Sequence, residues 1–440
     1  MITTSRLRRI ADLALPIVAG AVATNLMTFI DTLMVGQLGD AALGGVGVGG
    51  QLFFLFLAAG LGLAAGVQAM VARRVGEGRT KETGQVLNAG IVLACLIGLV
   101  LIVLAYSLMP WLFGLLIAET AVVTQGVDYL ITRIPSLLLI AVNVAFRAYW
   151  IGVSLAKWSM VSIVTLSLAN VLFNYLLIFG HFGAPRLEVA GAGLGSTLAV
   201  FVGLLVNIGL ALKFARANGF VQKRPDWPQC LAILKVSYPE SLRQALFTVG
   251  VVVMYVLIGQ IGVQELAAFH VIISICLIAY MPHIGLGGAA TTLVGESLGQ
   301  TDVREAKNWG WQVSNVSLFV LGVFGLLVVL FPEPLLALFF ADQSTLALAV
   351  LPLQIAVCAH VLDGYSKVVG SALIGAGATP SALRLTLIPQ WGLLLPLLAA
   401  CVFMGYGLTP AMVIFGLVTA ITGLASAYVW HRERWSGIAL

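Results

Sequence analysis

Twelve apolar runs, separated only by short polar breaks, leave this chain very few ways to fold. Each is about 20 residues or longer, the length a helix needs to cross the hydrocarbon layer of a bilayer at about 1.5 Å per residue. No water satisfies the backbone in that layer, so runs of this length must be bundled helices. They lie near residues 13–38, 46–72, 87–109, 128–151, 159–180, 188–213, 236–259, 268–295, 310–331, 346–374, 384–404 and 409–430. Composition agrees: 9% of residues are charged, against about 25% in soluble domains. The expected fold is an all-α polytopic membrane protein with twelve transmembrane helices.

The loops give the orientation. Arg73, Arg74, Arg79 and Lys81 follow the second run, and Lys213, Arg216, Lys223, Arg224 and Lys235 follow the sixth. The alternate loops hold mostly acids, among them Asp40, Glu119, Glu188, Glu333 and Asp342. This asymmetry predicts that both termini are cytoplasmic. It also accounts for the net charge of +5 without any nucleic-acid partner. The first run is too long for a signal peptide and holds Asp12 and Asp31, so it is read as an uncleaved span. The five cysteines stand singly, with no metal-ligand spacing, and are read as packing residues.

The sequence repeats itself at a fixed offset. Pro16 matches Pro239, Val35-Gly36-Gln37 matches Ile258-Gly259-Gln260, Val75-Gly76 matches Leu298-Gly299, and Ile151-Gly152 matches Ile374-Gly375. Every pair is 223 residues apart (239 less 16, 374 less 151). Two six-helix halves in the same orientation follow, related by a pseudo-two-fold axis along the membrane normal. The expected division is a lobe at 1–214, a basic linker at 215–235 and a lobe at 236–440. Such halves can rock about a central cleft, with Pro16 as a hinge in the first helix.

Polar residues inside the runs point to chemistry, because a charge at membrane depth costs roughly 2.5–3.5 kcal/mol by insertion scales. Asp31 is the acid deep in the first run, and its counterpart in the second half is Met254. Ser167, Asn170 and Asn174 share one helical face, and Ser196 lies on the next helix. A cation-coupling site of Asp31, Asn170, Asn174 and Ser196 is expected, and interhelical packing is the alternative for the amides. Asp363 is the second deep acid, with Lys367 one turn later. It is either an ion or substrate site or a local salt bridge. Met27, Met254 and Tyr255 join Asp363 as candidates for a substrate cleft. His270, His283 and His360 could relay protons, but an interhelical hydrogen bond is the simpler role. Arg147 and Glu240 are expected to snorkel to the interface. The glycines of Gly44–Gly50 suit close helix packing, lacking the Lys-Ser/Thr of a nucleotide loop.

Several segments together resemble the multidrug and toxic compound extrusion (MATE) family. They are LP…FIDTLMVGQLG in the first span, ARRVGEG at 72–78, AAFHVIIS and VGESLGQ in the second half, and LDGYSKVVGSALIGAGAT at 362–379. Asn170, Asn174 and the GAGLGS that follows look like the DinF-like branch, where an acid usually stands at the Asn174 position. Asp363 looks like the tenth-helix acid of the NorM-like branch, whose helix-seven acid is replaced here by Phe247 or Thr248. The overall lean is to the DinF-like branch. The resemblance implies a secondary antiporter in a bacterial cytoplasmic (inner) membrane, not an enzyme. It would work as a monomer among membrane lipids, expelling small amphipathic or cationic compounds by alternating access. No cofactor is implied. The energy would come from an H+ gradient, with Na+ as the alternative ion. Rival readings are a flippase for lipid-linked oligosaccharide or polysaccharide, which should carry more cations inside its spans, and an intramembrane two-aspartate enzyme, whose GxGD context is missing.

Overall fold

The computed structural model describes residues 3–117, 119–340 and 342–438. Among them the chain forms α1 (Thr4–Gly36), α2 (Asp40–Leu61), α3 (Leu63–Gly76), α4 (Thr83–Leu116), α5 (Thr120–Arg133), α6 (Ser136–Gly152), α7 (Ala156–Phe179) and α8 (Glu188–Phe214). The second half forms α9 (Trp227–Gly259), α10 (Val263–Gly299), α11 (Val303–Leu330), α12 (Pro332–Leu336), α13 (Gln343–Gly375), α14 (Thr379–Pro389), α15 (Leu395–Phe403) and α16 (Leu408–His431). Among the described residues eleven helical segments are long and apolar enough to span a membrane, twelve if α5 and α6, bent by 49°, count as one span.

The helix ends repeat as the sequence does. α1 and α9 are both 33 residues long, and the starts of α2 and α10 (40 and 263) keep the 223-residue offset. So do the ends of α6 and α13 at 152 and 375. The halves differ in where their spans break. The runs read from sequence as single helices at 46–72 and 128–151 are each interrupted, at Gly62 and at Ile134–Pro135. Pro135 has no N–H to offer the carbonyl four residues back. Tyr106 Oη takes that role, donating to Ile131 O at 2.9 Å, and Thr197 Oγ1 donates to Thr132 O at 2.8 Å. In the second half α10 and α13 run unbroken, and the interruption falls instead at a π turn, Gln390–Leu394, behind Pro389.

Two compact units emerge, Leu15–Ser241 and Met1–Ala14 with Leu242–Leu440. The first turns of α1 therefore pack with the second half, and α9 up to Ser241 packs with the first half. The division expected at 1–214 and 236–440 contains no such exchange. Pro16 and Pro239 stand beside the two crossing points, and both helices continue through them. The linker is shorter than 215–235, since α9 begins at Trp227, and it is pinned by Asn88, whose Nδ2 donates to Gly219 O (3.3 Å) and Lys223 O (3.0 Å).

Within the unit of Leu15–Ser241, α2 and α5 come very close. A Cβ on Gly45 would lie 2.7 Å from Gly126 N, which is the packing role read for the glycine run. Glu240 does not snorkel: it is 5% exposed, because the early part of α9 is buried against α3. In the other unit, Asp342 caps α13 by accepting from Ser344 N (3.3 Å) and Thr345 N (3.1 Å). Bonds from Ser344 and Thr345 favour the charged carboxylate and hold it well below the usual range, so the cap survives well into acid.

The start of α1 is clamped within its unit. Arg6 Nη2 donates to both oxygens of Glu305 (2.5 and 2.6 Å), Arg6 Nη1 donates to Gln312 Oε1 (2.9 Å), and Arg9 donates to Glu296 (2.7 Å). Trp309 underlies both guanidinium groups at 4.7 and 5.5 Å. Partly exposed pairs of this kind contribute up to ~1 kcal/mol. Arg6→Gln is therefore expected to speed amide hydrogen exchange at residues 4–14 about fivefold. Exchange beyond Pro16 should not change. Equal acceleration along all of α1 would show that the helix moves as one piece and that its start is not held separately.

Candidate functional site

α7 buries an unusual stripe. Its covered residues include Ser159, Ser162, Ser167, Asn170 and Asn174, whereas Leu168 and Leu172 are exposed. A helix with its polar face inward is stable where the surroundings are lipid. Ser162 serves packing: it accepts from Asn207 Nδ2 at 2.7 Å and donates to Gly203 O at 3.1 Å.

Asn170 and Asn174 are oriented otherwise. Asn174 Nδ2 donates to Asp31 Oδ1 at 2.7 Å. With the Asn170 amide oriented by its hydrogen-bond partners, its nitrogen donates to Asp31 Oδ1 (2.6 Å) and Oδ2 (3.2 Å), while its oxygen accepts from Ser196 Oγ (3.0 Å). The structure thus brings together Asp31, Asn170, Asn174 and Ser196, from α1, α7 and α8. The register of α8 is fixed beside Ser196 by the bond from Thr197 to the broken strand of carbonyls at Thr132. Asn170 and Asn174 are 1% and 0% exposed, Ser196 is 5% exposed, and Asp31 keeps part of its surface open.

Two further residues complete the surroundings. Arg133, at the α5–α6 break, is the cation whose field reaches Asp31, and its guanidinium lies over the Phe53 ring at 4.9 Å. Gly195 leaves room for Asn174: a Cβ there would fall 2.2 Å from Asn174 Oδ1. That buried oxygen has no hydrogen-bond partner, nor has Ser167 Oγ. Sequence reasoning passed over both Arg133 and Gly195. The Arg-x-Pro of a broken span was the available signal for the first, whereas a glycine next to a network serine gives none.

The candidates for a substrate cleft divide between the units. Met27 is half-buried on α1, one turn before Asp31. Met254 does not fit a cleft role: it is 4% exposed and packs in an apolar core with Leu257, Phe269 and Leu353. Tyr255 rests on Phe269 (4.9 Å between rings), and its hydroxyl is 3.3 Å from His270 Nδ1. Asp363 Oδ2 stands 3.7 Å from Lys367 Nζ. Among the described residues no group of three His, Cys, Asp or Glu could hold a metal ion.

The chain resembles curated relatives over almost its whole length. It is 31% identical over 437 residues to the probable multidrug resistance protein NorM of Neisseria meningitidis serogroup A, covering 97% of this chain and 94% of the relative. The protein of the same name from Mesorhizobium japonicum is 29% identical over 406 residues, 89% of this chain and 86% of its own. Among solved structures, a MATE in the bent conformation superposes with a TM-score of 0.88 at 19% identity, over 97% of this chain and 95% of that one. A MATE in the straight conformation gives 0.87 at 20% identity, over 97% and 96%. At such identity these two speak for the fold alone. The MatE family pattern matches residues 16–176 and again 239–399, a spacing of 223 residues at both ends that equals the offset of the internal repeat. With most of both halves accounted for in this way, the chain belongs to the MatE family.

Proposed function

We propose that the chain is a secondary multidrug efflux transporter that exports small amphipathic, often cationic compounds in exchange for protons, with Asp31 as the coupling group. One observation carries this reading. The positions equivalent to Asp31, Asn170, Asn174 and Ser196 in the second half are Met254, Leu393, Leu397 and Thr419. α9 and α16, the counterparts of α1 and α8, therefore form without an acid at these positions, although the counterpart of α7 is broken at the π turn that holds Leu393. A helix like α1 thus does not need its acid in order to form. A buried acid kept without structural need is a functional group by default. The names of the relatives, probable multidrug resistance proteins, supply the cargo class.

The geometry suits a proton. Ionised Asp31 only accepts, and it takes N–H groups from both amides. Once protonated at Oδ2 that oxygen becomes a donor, so the 3.2 Å bond it accepts from Asn170 weakens and the network must rearrange there. Uptake of a proton also removes the charge that attracts a cationic compound. The two fluxes then couple, because each ligand binds one state of the network better. A sodium ion would need more oxygen ligands than one carboxylate and the free Asn174 Oδ1 provide. Pro16, beside the point where α1 passes from one unit to the other, would be the hinge. By the distribution of its basic loops both ends would be cytoplasmic, and its family resemblance suggests the inner membrane.

Purified protein in liposomes tests this. An imposed pH gradient should drive export of a fluorescent cationic dye, collapse of the gradient should stop it, and replacing sodium by choline should leave it unchanged. Transport that follows sodium and ignores the pH gradient would overturn the proton reading.

A further inference from the structure

The second unit has a polar cluster of its own, on different helices from the first. His360, Asp363 and Lys367 share a face of α13. Phe247 of α9 lies under Lys367, its ring centre 4.1 Å from the ammonium. His283 of α10 lies within electrostatic reach of Lys367, His360 and Arg243. Gln390, in the π turn, donates to Phe247 O at 3.1 Å. The equivalent positions in the first half are Leu137 for His360, Ile140 for Asp363, Val144 for Lys367 and Gly60 for His283. The first half has none of these groups, and its matching spans are the two that break, at Gly62 and at Ile134–Pro135.

The cluster is under-satisfied. A charge-assisted N–H···O bond is about 2.7–2.9 Å long, and the separation between Lys367 and Asp363 is 3.7 Å. The three ammonium donors find only that distant carboxylate and an aromatic face. Among the described residues His283, 6% exposed, has a buried Nδ1 without a partner, and so have His360 at Nε2 and Gln390 at Oε1, whereas His270 meets Tyr255 across helices as expected. Lys367 nevertheless keeps 16% of its side chain accessible and Asp363 26%, so both can be reached. The unfilled donors of Lys367 favour a ligand that brings an acceptor, and an anionic one most. A cationic ligand would have to displace Lys367 from Asp363.

We propose that Lys367, with Asp363, His283 and His360 around it, forms a site in the second unit for the carboxylate of an amphipathic compound. The carboxylate takes the free ammonium donors, and the imidazole nitrogens supply hydrogen bonds. In a zwitterion, Asp363 exchanges Lys367 for the ligand's ammonium group. This rests on the efflux reading and narrows its cargo to include carboxylates.

The test is equilibrium binding to purified protein in detergent, without any gradient. Four probes on one scaffold separate the charges: pyrenylalanine (zwitterion), its methyl ester (cation), its N-acetyl derivative (anion) and the N-acetyl methyl ester (neutral). Each carboxylate-bearing probe should bind about tenfold or more tightly than its ester. Lys367→Gln should bring the acid-to-ester ratio close to one, and Lys367→Arg should preserve it. Preference for the zwitterion alone, lost in Asp363→Asn, would assign the ammonium to Asp363. Preference for both acids would make the carboxylate sufficient. Equal binding of acids and esters by the unaltered protein, or equal weakening of both by Lys367→Gln, would overturn the proposal. The two readings fail separately: liposomes without gradient-driven export would end the efflux reading, while the acid preference, read without transport, would stand.

Discussion

Asp31→Asn is expected to reduce gradient-driven export to the leak rate of empty liposomes while the protein still folds. An asparagine has the shape of the protonated acid, and its oxygen can accept from Asn174 as Asp31 Oδ1 does at 2.7 Å. The network therefore persists in one protonation-like state and cannot cycle. Removing a charge from an apolar span relieves a desolvation cost, so thermal stability should hold or rise slightly. Folding is checked by size-exclusion elution and melting temperature, and export by dye release and by drug resistance in cells. Full resistance at normal expression would remove Asp31 from the mechanism.

Gly195→Ala should come close to that loss without touching an ionisable group. The added Cβ would fall 2.2 Å from Asn174 Oδ1 and 3.1 Å from Asn174 N, so the amide must turn or the two helices must part. Overpacking of this kind costs typically ~1–3 kcal/mol, and the amide that turns is the one bonded to Asp31. Gly209→Ala is the control on the same helix, because a Cβ there meets nothing within 4 Å. It should be neutral or stabilise by ~0.5–1 kcal/mol through lower backbone entropy. If Gly195→Ala exported as well as Gly209→Ala, Asn174 would not need its present orientation.

How much was legible depended on what kind of signal each feature left. The spans show in the sequence because lipid demands long apolar runs, and the repeat shows because its offset is constant. Asp31, Asn170, Asn174 and Ser196 were legible as polar residues where polarity is costly, and helical spacing put the two asparagines on one face. The breaks at Gly62 and Pro135 were hidden, since hydropathy does not register a bend, and at Pro135 Tyr106 and Thr197 take the freed carbonyls. The exchange of helix ends was hidden too, because Arg6 and Glu305 look like ordinary basic and acidic loop residues until the fold brings them together. Met254 looked available for a cleft because a methionine reads alike on a surface or in a core, and only packing decides. The resemblance to the NorM-like branch stops at Phe247 or Thr248, where no acid stands, and the structure places the Phe247 ring under a lysine.

If Asp31 exchanges a proton for the transported compound, binding of that compound must release protons, and these can be counted. A cationic substrate is added to purified protein in weakly buffered detergent solution, and the pH change is read with an indicator dye. At a pH where Asp31 is partly protonated, binding should release up to about one proton per substrate bound. Asp31→Asn should release none, whatever affinity it retains. Equal release from both proteins would contradict the account and place the coupling proton on another group.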